Sequence, residues 1–182
     1  MERRGHYGMT LLLGAVAVLL LSVPAGVLST LVMLLFTTLP DKDQVVSVLR
    51  HRGVTHTVGF ALLVAFTVPS TVAYPIHVLQ ELVIQFGVLH EVLINPHHVW
   101  QLLCISIFVG LTGHLGADML TKGGGYRVRP FWPISKQTYA AGLCTSDDER
   151  WNTGLLMGGA TAFSASVVHE LYDVLFPGIV AI

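Results

Sequence analysis

From Met9 to Leu39 the chain runs for about 30 residues without a charged side chain, where one membrane-spanning helix needs only about 20. Nothing else in the sequence constrains the fold as much. A cleaved signal peptide, with Arg3 and Arg4 before an apolar stretch, is disfavoured because the run is about twice as long as a signal's apolar region. That leaves one long tilted helix, or two short helices hinged where Ser22-Val-Pro24-Ala-Gly26 interrupts the run. Pro24 suits the first turn of a second helix, where its missing N–H costs nothing.

Three further apolar segments follow, at about Val58–Tyr74, Val99–Met119 and Gly154–Phe176. The last is rich in glycine, alanine and serine, which let helices approach closely. Hydrophobic residues make up 53% of the chain and charged ones 12%. A soluble domain carries about twice that charge. The expected fold is therefore all-α: one integral membrane helical bundle over residues 1–182, with about four to six helices and an N-terminal helical hairpin. Between the first two of these segments, His77, Gln80, Glu81 and Gln85 recur at helical spacing among apolar residues. This predicts an amphipathic interfacial helix over 77–94, stopped at Asn95-Pro96. Residues 120–153 form the longest polar interval and read as a loop. Cys104 and Cys144 have no CxxC partner, which argues against a zinc finger or redox motif, and the topology keeps them from forming a disulfide.

Charge placement selects the hairpin. The ten lysines and arginines fall in three places: Arg3 and Arg4; Lys42, Arg50 and Arg52; and Lys122 through Arg150. If 9–39 turns back on itself, all three share one face, which the positive-inside rule makes cytoplasmic. A single crossing would set Arg3 and Arg4 against the rest. No basic block suggests nucleic acid; the expected partners are membrane lipid and a small-molecule or lipid substrate.

On the basic face the sequence also concentrates ligand-type side chains. Asp41 and Asp43 lie in Leu-Pro-Asp-Lys-Asp, followed by His51-Arg-Gly-Val-Thr-His56. His114 and Asp118, four residues apart at the end of an apolar helix, share one side of it. Carboxylates and imidazoles are the ligands that a divalent metal such as zinc takes. Ionisable groups at membrane depth are expensive and usually functional. Taken singly, each group has a plainer reading: solvated loop acids, an interfacial basic loop, a hydrogen bond along a helix. Gly53 is the residue expected to bend the backbone so that both rings of the loop turn inward.

The ordered set Pro-Asp41-Lys-Asp43, His51-Arg-Gly-Val-Thr-His56-Thr, Gly-His114-Leu-Gly-Ala-Asp118-Met-Leu-Thr121 and Phe131-Trp132-Pro133 resembles the membrane-bound metal-dependent hydrolase family of YdjM type. Motifs of that family read PDxDH, HRGxTHS, sHxxxDxxT and WPF. The resemblance implies distant kinship with the helical zinc-dependent phospholipase C and P1-nuclease group, in which His and Asp hold zinc ions that activate water against phosphodiesters. Carried over to this chain, it implies His6, Asp41, Asp43, His51, His56, His114 and Asp118 as metal ligands, with one or more divalent ions, zinc by analogy. Asp41 or Asp43 would act as base or bridging ligand, and Arg52 would neutralise developing negative charge. Gln44 departs from the pattern, standing where the family has a histidine.

The other histidines have different readings. His77, His90, His97 and His98 are expected to be interfacial or solvated. His169, with Glu170 and Asp173, reads as a hydrogen-bonding group on the last helix, ahead of a second site. Tyr126, Phe131 and Trp132 are expected to anchor the loop at headgroup level. The alternative to a hydrolase is a non-catalytic membrane protein, a metal-binding scaffold or a transporter, that keeps the His/Asp cluster.

Overall fold

The computed structural model describes residues 1–46, 51–86, 95–123 and 127–176. Ser47, Arg50, His90, Glu91, Tyr126 and the second half of the expected interfacial helix lie outside them. The described residues form five α-helices in order: α1 (Arg3–Leu20), α2 (Val23–Phe36), α3 (Val58–Gln85), α4 (Pro96–Leu120) and α5 (Glu149–Leu175). No strand occurs among the described residues. The loop between α4 and α5 is tied by isolated bridges from Thr121 to Cys144 and from Val128 to Tyr139.

The first two helices form the expected hairpin. Leu21 and Ser22 are the break, and Pro24 falls in the first turn of α2. Side chains pair in antiparallel order down the seam: Gly26 against the Val18 backbone, Gly14 against Thr30, and Thr10 donating to Thr37 at 2.8 Å. A Cβ on Gly26 would sit 2.5 Å from the Val18 Cα, so the turn between the helices is as tight as glycine permits.

Small and hydroxylic residues also join the other helices. Ser29 of α2 meets Ser106 of α4 at 2.7 Å, and Gly110 of α4 packs on the Met33 backbone. Between α3 and α4 the core is Ala61, Ala65, Ile107 and Leu111. On α1 and α5, Gly8 and Gly159 bring the two backbones into direct contact. Close packing through small side chains is how helices associate where lipid removes the hydrophobic drive. Outward-facing side chains are correspondingly apolar: Leu20, Leu31, Leu35, Leu63, Phe66 and Ile105 are all exposed. Such a surface is tolerated in a bilayer and not in water.

Among the described residues, three stretches are long and apolar enough to cross a membrane: Val23–Gln44, Val58–Gln85 and Pro96–Leu120. The α5 helix is not among them; it carries Glu149, Arg150, His169, Glu170 and Asp173. It also starts earlier than the 154–176 segment, because Asp148 caps it by accepting from the Arg150 and Trp151 backbone N–H groups.

The expected boundary between a membrane helix ending at Tyr74 and a separate helix from His77 is not a boundary. The α3 helix continues through Pro69 and Pro75 to Gln85. In lipid the backbone keeps its helical hydrogen bonds wherever it can, so a proline inside the helix is tolerated, and hydroxyl side chains satisfy themselves on the helix's own carbonyls. Here Thr67, Ser70 and Thr71 bond back to the carbonyls of Leu63, Phe66 and Val68. At about 1.5 Å per residue α3 is roughly 42 Å long, against a hydrocarbon layer of about 30 Å.

Candidate metal centre

All five helices place one end at the same place. The N-terminal turn of α1 carries His6, and the segment after α2 folds into a one-turn 3-10 helix, Pro40–Gln44, bearing Asp41 and Asp43. A second such turn, Val54–His56, delivers His56 immediately before α3, whose cap is Thr57: it accepts from the Phe60 N–H and donates to the Val54 carbonyl. The last turns of α4 carry His114 and Asp118. Residues from 6 to 118 thus converge on one end of the bundle.

Their imidazole Nε2 atoms face a common point. His56 Nε2 and His114 Nε2 are 3.2 Å apart. His56 Nε2 lies 3.5 Å from Asp41 Oδ1 and 3.5 Å from Asp118 Oδ2. His114 Nε2 is 3.7 Å from Asp41 and 3.9 Å from Asp118. His6 Nε2 is 3.5 Å from Asp118 and 3.9 Å from Asp41. The His6 and His114 rings stack with centroids 3.8 Å apart. His6, His56 and His114 are fully buried, and Asp118 nearly so.

Such crowding is what ligands around one ion require. Donor atoms about 2.1 Å from a divalent ion lie roughly 3.0–3.4 Å from one another. Two sets have ligand atoms close enough to hold an ion, His6, His114 and Asp118 in one and Asp41, His51 and His56 in the other. They adjoin through the His56–His114 contact. Charge gives the same indication. Against the carboxylates of Asp41, Asp43 and Asp118 stand Arg52 and the Met1 amine, leaving a net negative charge while the imidazoles are neutral.

Asp43 has a different position from the other acids. It is buried behind His56, with Oδ2 3.2 Å from His56 Nδ1, and its Oδ1 is 3.0 Å from His51 Nδ1. The Arg52 N–H and the Thr55 hydroxyl also donate to Asp43 Oδ2, at 3.1 and 2.9 Å. A carboxylate on Nδ1 fixes the tautomer and leaves the Nε2 lone pair for a metal. The backbone bend expected at Gly53 falls one residue earlier: Arg52 has φ 57°, and Gly53 has φ −88°. The bend aims the Arg52 N–H at Asp43, while the Arg52 guanidinium donates to Asp118 Oδ1 at 3.0 Å. Gln44, the departure from the family pattern, donates from its amide to Asp41 Oδ1 at 3.3 Å.

Burial, with the Met1 amine as a smaller like-charge influence, lowers the pKa of His6 to about 4. Asp118 and Asp41 pull in the opposite direction and do not prevail.

Several contributors are not evident in the sequence. The Met1 amine donates to Asp118 Oδ1 at 2.5 Å, and the Met1 carbonyl lies 3.1 Å from His6 Nε2. Buried Asn152 of α5 accepts from the Glu2 N–H and donates to the Ser146 and Asp148 carbonyls, joining the start of α1 to α5. Thr55 is in the His-Arg-Gly-Val-Thr-His stretch, but as a hydroxyl among ligand types it carries no signal of its own. A cavity of about 200 Å³ opens onto the cluster past Asp41, His51, Arg52 and Asp118.

The other described histidines lie away from the cluster. His97 and His98 are in the first turn of α4, about 25 Å of helix from His114. His169 pairs with Asp173 at 3.2 Å, one turn along α5, and both are exposed.

Compared with known proteins, the chain matches the family model for the YdjM inner membrane protein over residues 1–180. No curated protein and no solved structure matches it.

Proposed function

The chain belongs to the YdjM inner membrane protein family, and from that membership and the site's geometry we propose that it is a membrane-bound, metal-dependent hydrolase of phosphodiester or phospholipid-type bonds. The observation that carries this reading is the buried convergence of three imidazole Nε2 atoms and two carboxylates, with a third carboxylate orienting one ring from behind. His6, His56, His114, Asp41 and Asp118 would hold a divalent ion, with zinc as the favoured identity because imidazole and carboxylate suit it. His51 is near enough to help hold a second. When bound, such an ion supplies Lewis acidity and a nucleophilic water at neutral pH.

The chain's own residues then divide the work. Asp41, partly exposed on the cavity, is the carboxylate placed to accept a proton from an incoming water. Asp43 is enclosed by His51, His56, the Arg52 N–H and the Thr55 hydroxyl, and serves to orient His56 and His51. Arg52 lines the cavity and brings positive charge to where a phosphate oxygen would gain negative charge. Gln44 cannot donate a nitrogen lone pair as a histidine would; it steadies Asp41.

The site's face is proposed to be cytoplasmic, since Arg3, Arg4, Lys42, Arg52, Lys122 and Arg150 all flank this end of the bundle. A transporter is the weaker reading, because transport sites lie near the bilayer midplane, whereas this cluster sits at helix ends. The test is metal content of the purified protein, with His56→Ala and Asp118→Ala alongside. Stoichiometric metal in wild type, its loss in both variants and turnover of a phosphodiester panel are expected. Absence of metal in wild type overturns the site; metal without turnover favours a scaffold.

A further inference from the structure

Beside the cluster's cavity lies a second, larger cleft of about 510 Å³. The two share a wall: Met1, Glu2, Asp41 and Gln44 line both. Where the first leads to the imidazoles, the second is edged by Arg3, Arg4 and Lys42. All three cations are exposed, and among the described residues none of them forms an ion pair. Of the acids on the cleft, Asp41 is turned toward His6, His56 and His114, and Glu2 alone opposes the three positive charges. Cations gathered at a concave site and left without partners call for an anion.

We propose that the Arg3/Arg4/Lys42 cleft binds a phosphate-bearing anionic group of the substrate and so presents the neighbouring bond to the cluster. This deepens the hydrolase reading and rests on it. Arginine is suited to the role because its planar fork grips two phosphate oxygens at once. The cleft's surroundings indicate an amphiphile. Val45 lines it and is 82% exposed, and the next residue, Val46, is exposed as well. An apolar rim beside a cationic floor matches the boundary between acyl chain and headgroup.

The experiment uses the full-length, metal-loaded protein in detergent and measures binding of short-chain phosphatidate and of glycerol phosphate by calorimetry. Wild type is compared with Lys42→Gln, with the Arg3→Gln/Arg4→Gln pair and with the Arg3→Lys/Arg4→Lys pair. Phosphatidate binding is expected to weaken roughly tenfold or more in each glutamine variant and to be restored only in part by the lysine pair, which keeps the charge and loses the fork. Metal content should stay at the wild-type level in all of them, which also verifies folding. Phosphatidate bound more tightly than glycerol phosphate assigns the group to a lipid headgroup, and equal affinities assign it to a soluble phosphate compound. Wild-type affinity in the glutamine variants, or no phosphate binding by wild type, overturns the cleft. The two readings fail separately. Phosphodiester turnover unaffected by the glutamine variants sinks the cleft and leaves the hydrolase, whereas cation-dependent phosphate binding by a protein that takes up no metal does the reverse.

Discussion

Asp43 and Asp118 show why acids of the same type in one site should respond differently to substitution. Asp118 faces the Nε2 atoms directly, and Asp43 reaches the cluster through the Nδ1 atoms of His56 and His51. Asp118→Ala is therefore expected to abolish stoichiometric metal. Asp43→Asn should keep a metal and weaken it roughly 10–100-fold, as substitutions behind a ligating imidazole do. Titration against a chelating dye separates the outcomes; equal losses would make Asp43 a direct ligand. Thr55→Val should cost about 1–3 kcal/mol of stability, because the buried Asp43 oxygen loses a donor that water cannot replace. The residue types of this site were legible in the sequence, since His and Asp are conspicuous between apolar runs. Their division of labour was not. Pro-Asp-Lys-Asp puts two carboxylates two residues apart, and only the one-turn helix that follows α2 decides which of them faces the cluster and which faces away. The contacts of Met1 and Asn152 were equally hidden, because neither residue type announces a site.

At the level of helices, legibility depended on which physical rule the solvent enforces. Pro24, with the distribution of basic residues, was enough to resolve 9–39 into a hairpin, whereas Asn95-Pro96, expected to stop a helix, instead starts one, with Asn95 capping α4. The break expected after Tyr74 is absent: α3 holds Pro69 and Pro75 in its interior and runs on to Gln85, as prolines in lipid-facing helices are tolerated. Helix contacts were only partly visible. The glycines of α5 suggested close approach without saying which ones are used. Gly159 touches the Gly8 backbone, whereas a Cβ on Gly158 would meet nothing within 4 Å. Gly159→Leu should thus separate α1 from α5 and destabilise the protein by about 1–3 kcal/mol or more, while Gly158→Leu should be nearly silent. Thermal unfolding in detergent measures both. Because α1 carries His6, the Gly159 variant should also bind metal more weakly, and equal behaviour of the two variants would remove the α1–α5 contact from the account.

For the molecule as a whole, one end of the bundle holds both the metal cluster and the basic residues, so stability and site chemistry are coupled through charge. His6 is the clearest link. An exposed histidine titrates near 6.5, and burial among α1, α2 and α4 lowers His6 to about 4. Between those values the unfolded chain takes up a proton that the folded site refuses. Stability must therefore fall as pH drops from about 6.5 to about 4, and by an amount on the order of 3 kcal/mol for the full window. Above about pH 6.5 His6 is neutral in both states and contributes no slope. Chelator-treated protein is the right material, because a metal on the ring would exclude the proton as well. Its midpoint of thermal unfolding should be level from pH 8 to 7 and decline through pH 5. His6→Gln, which cannot titrate, should make the decline shallower, with the other buried groups of the cluster supplying the remainder, even if it lowers the midpoint throughout. An unchanged slope in that variant would assign the acid sensitivity to other groups and leave His6 without the burial that its place in the hairpin implies.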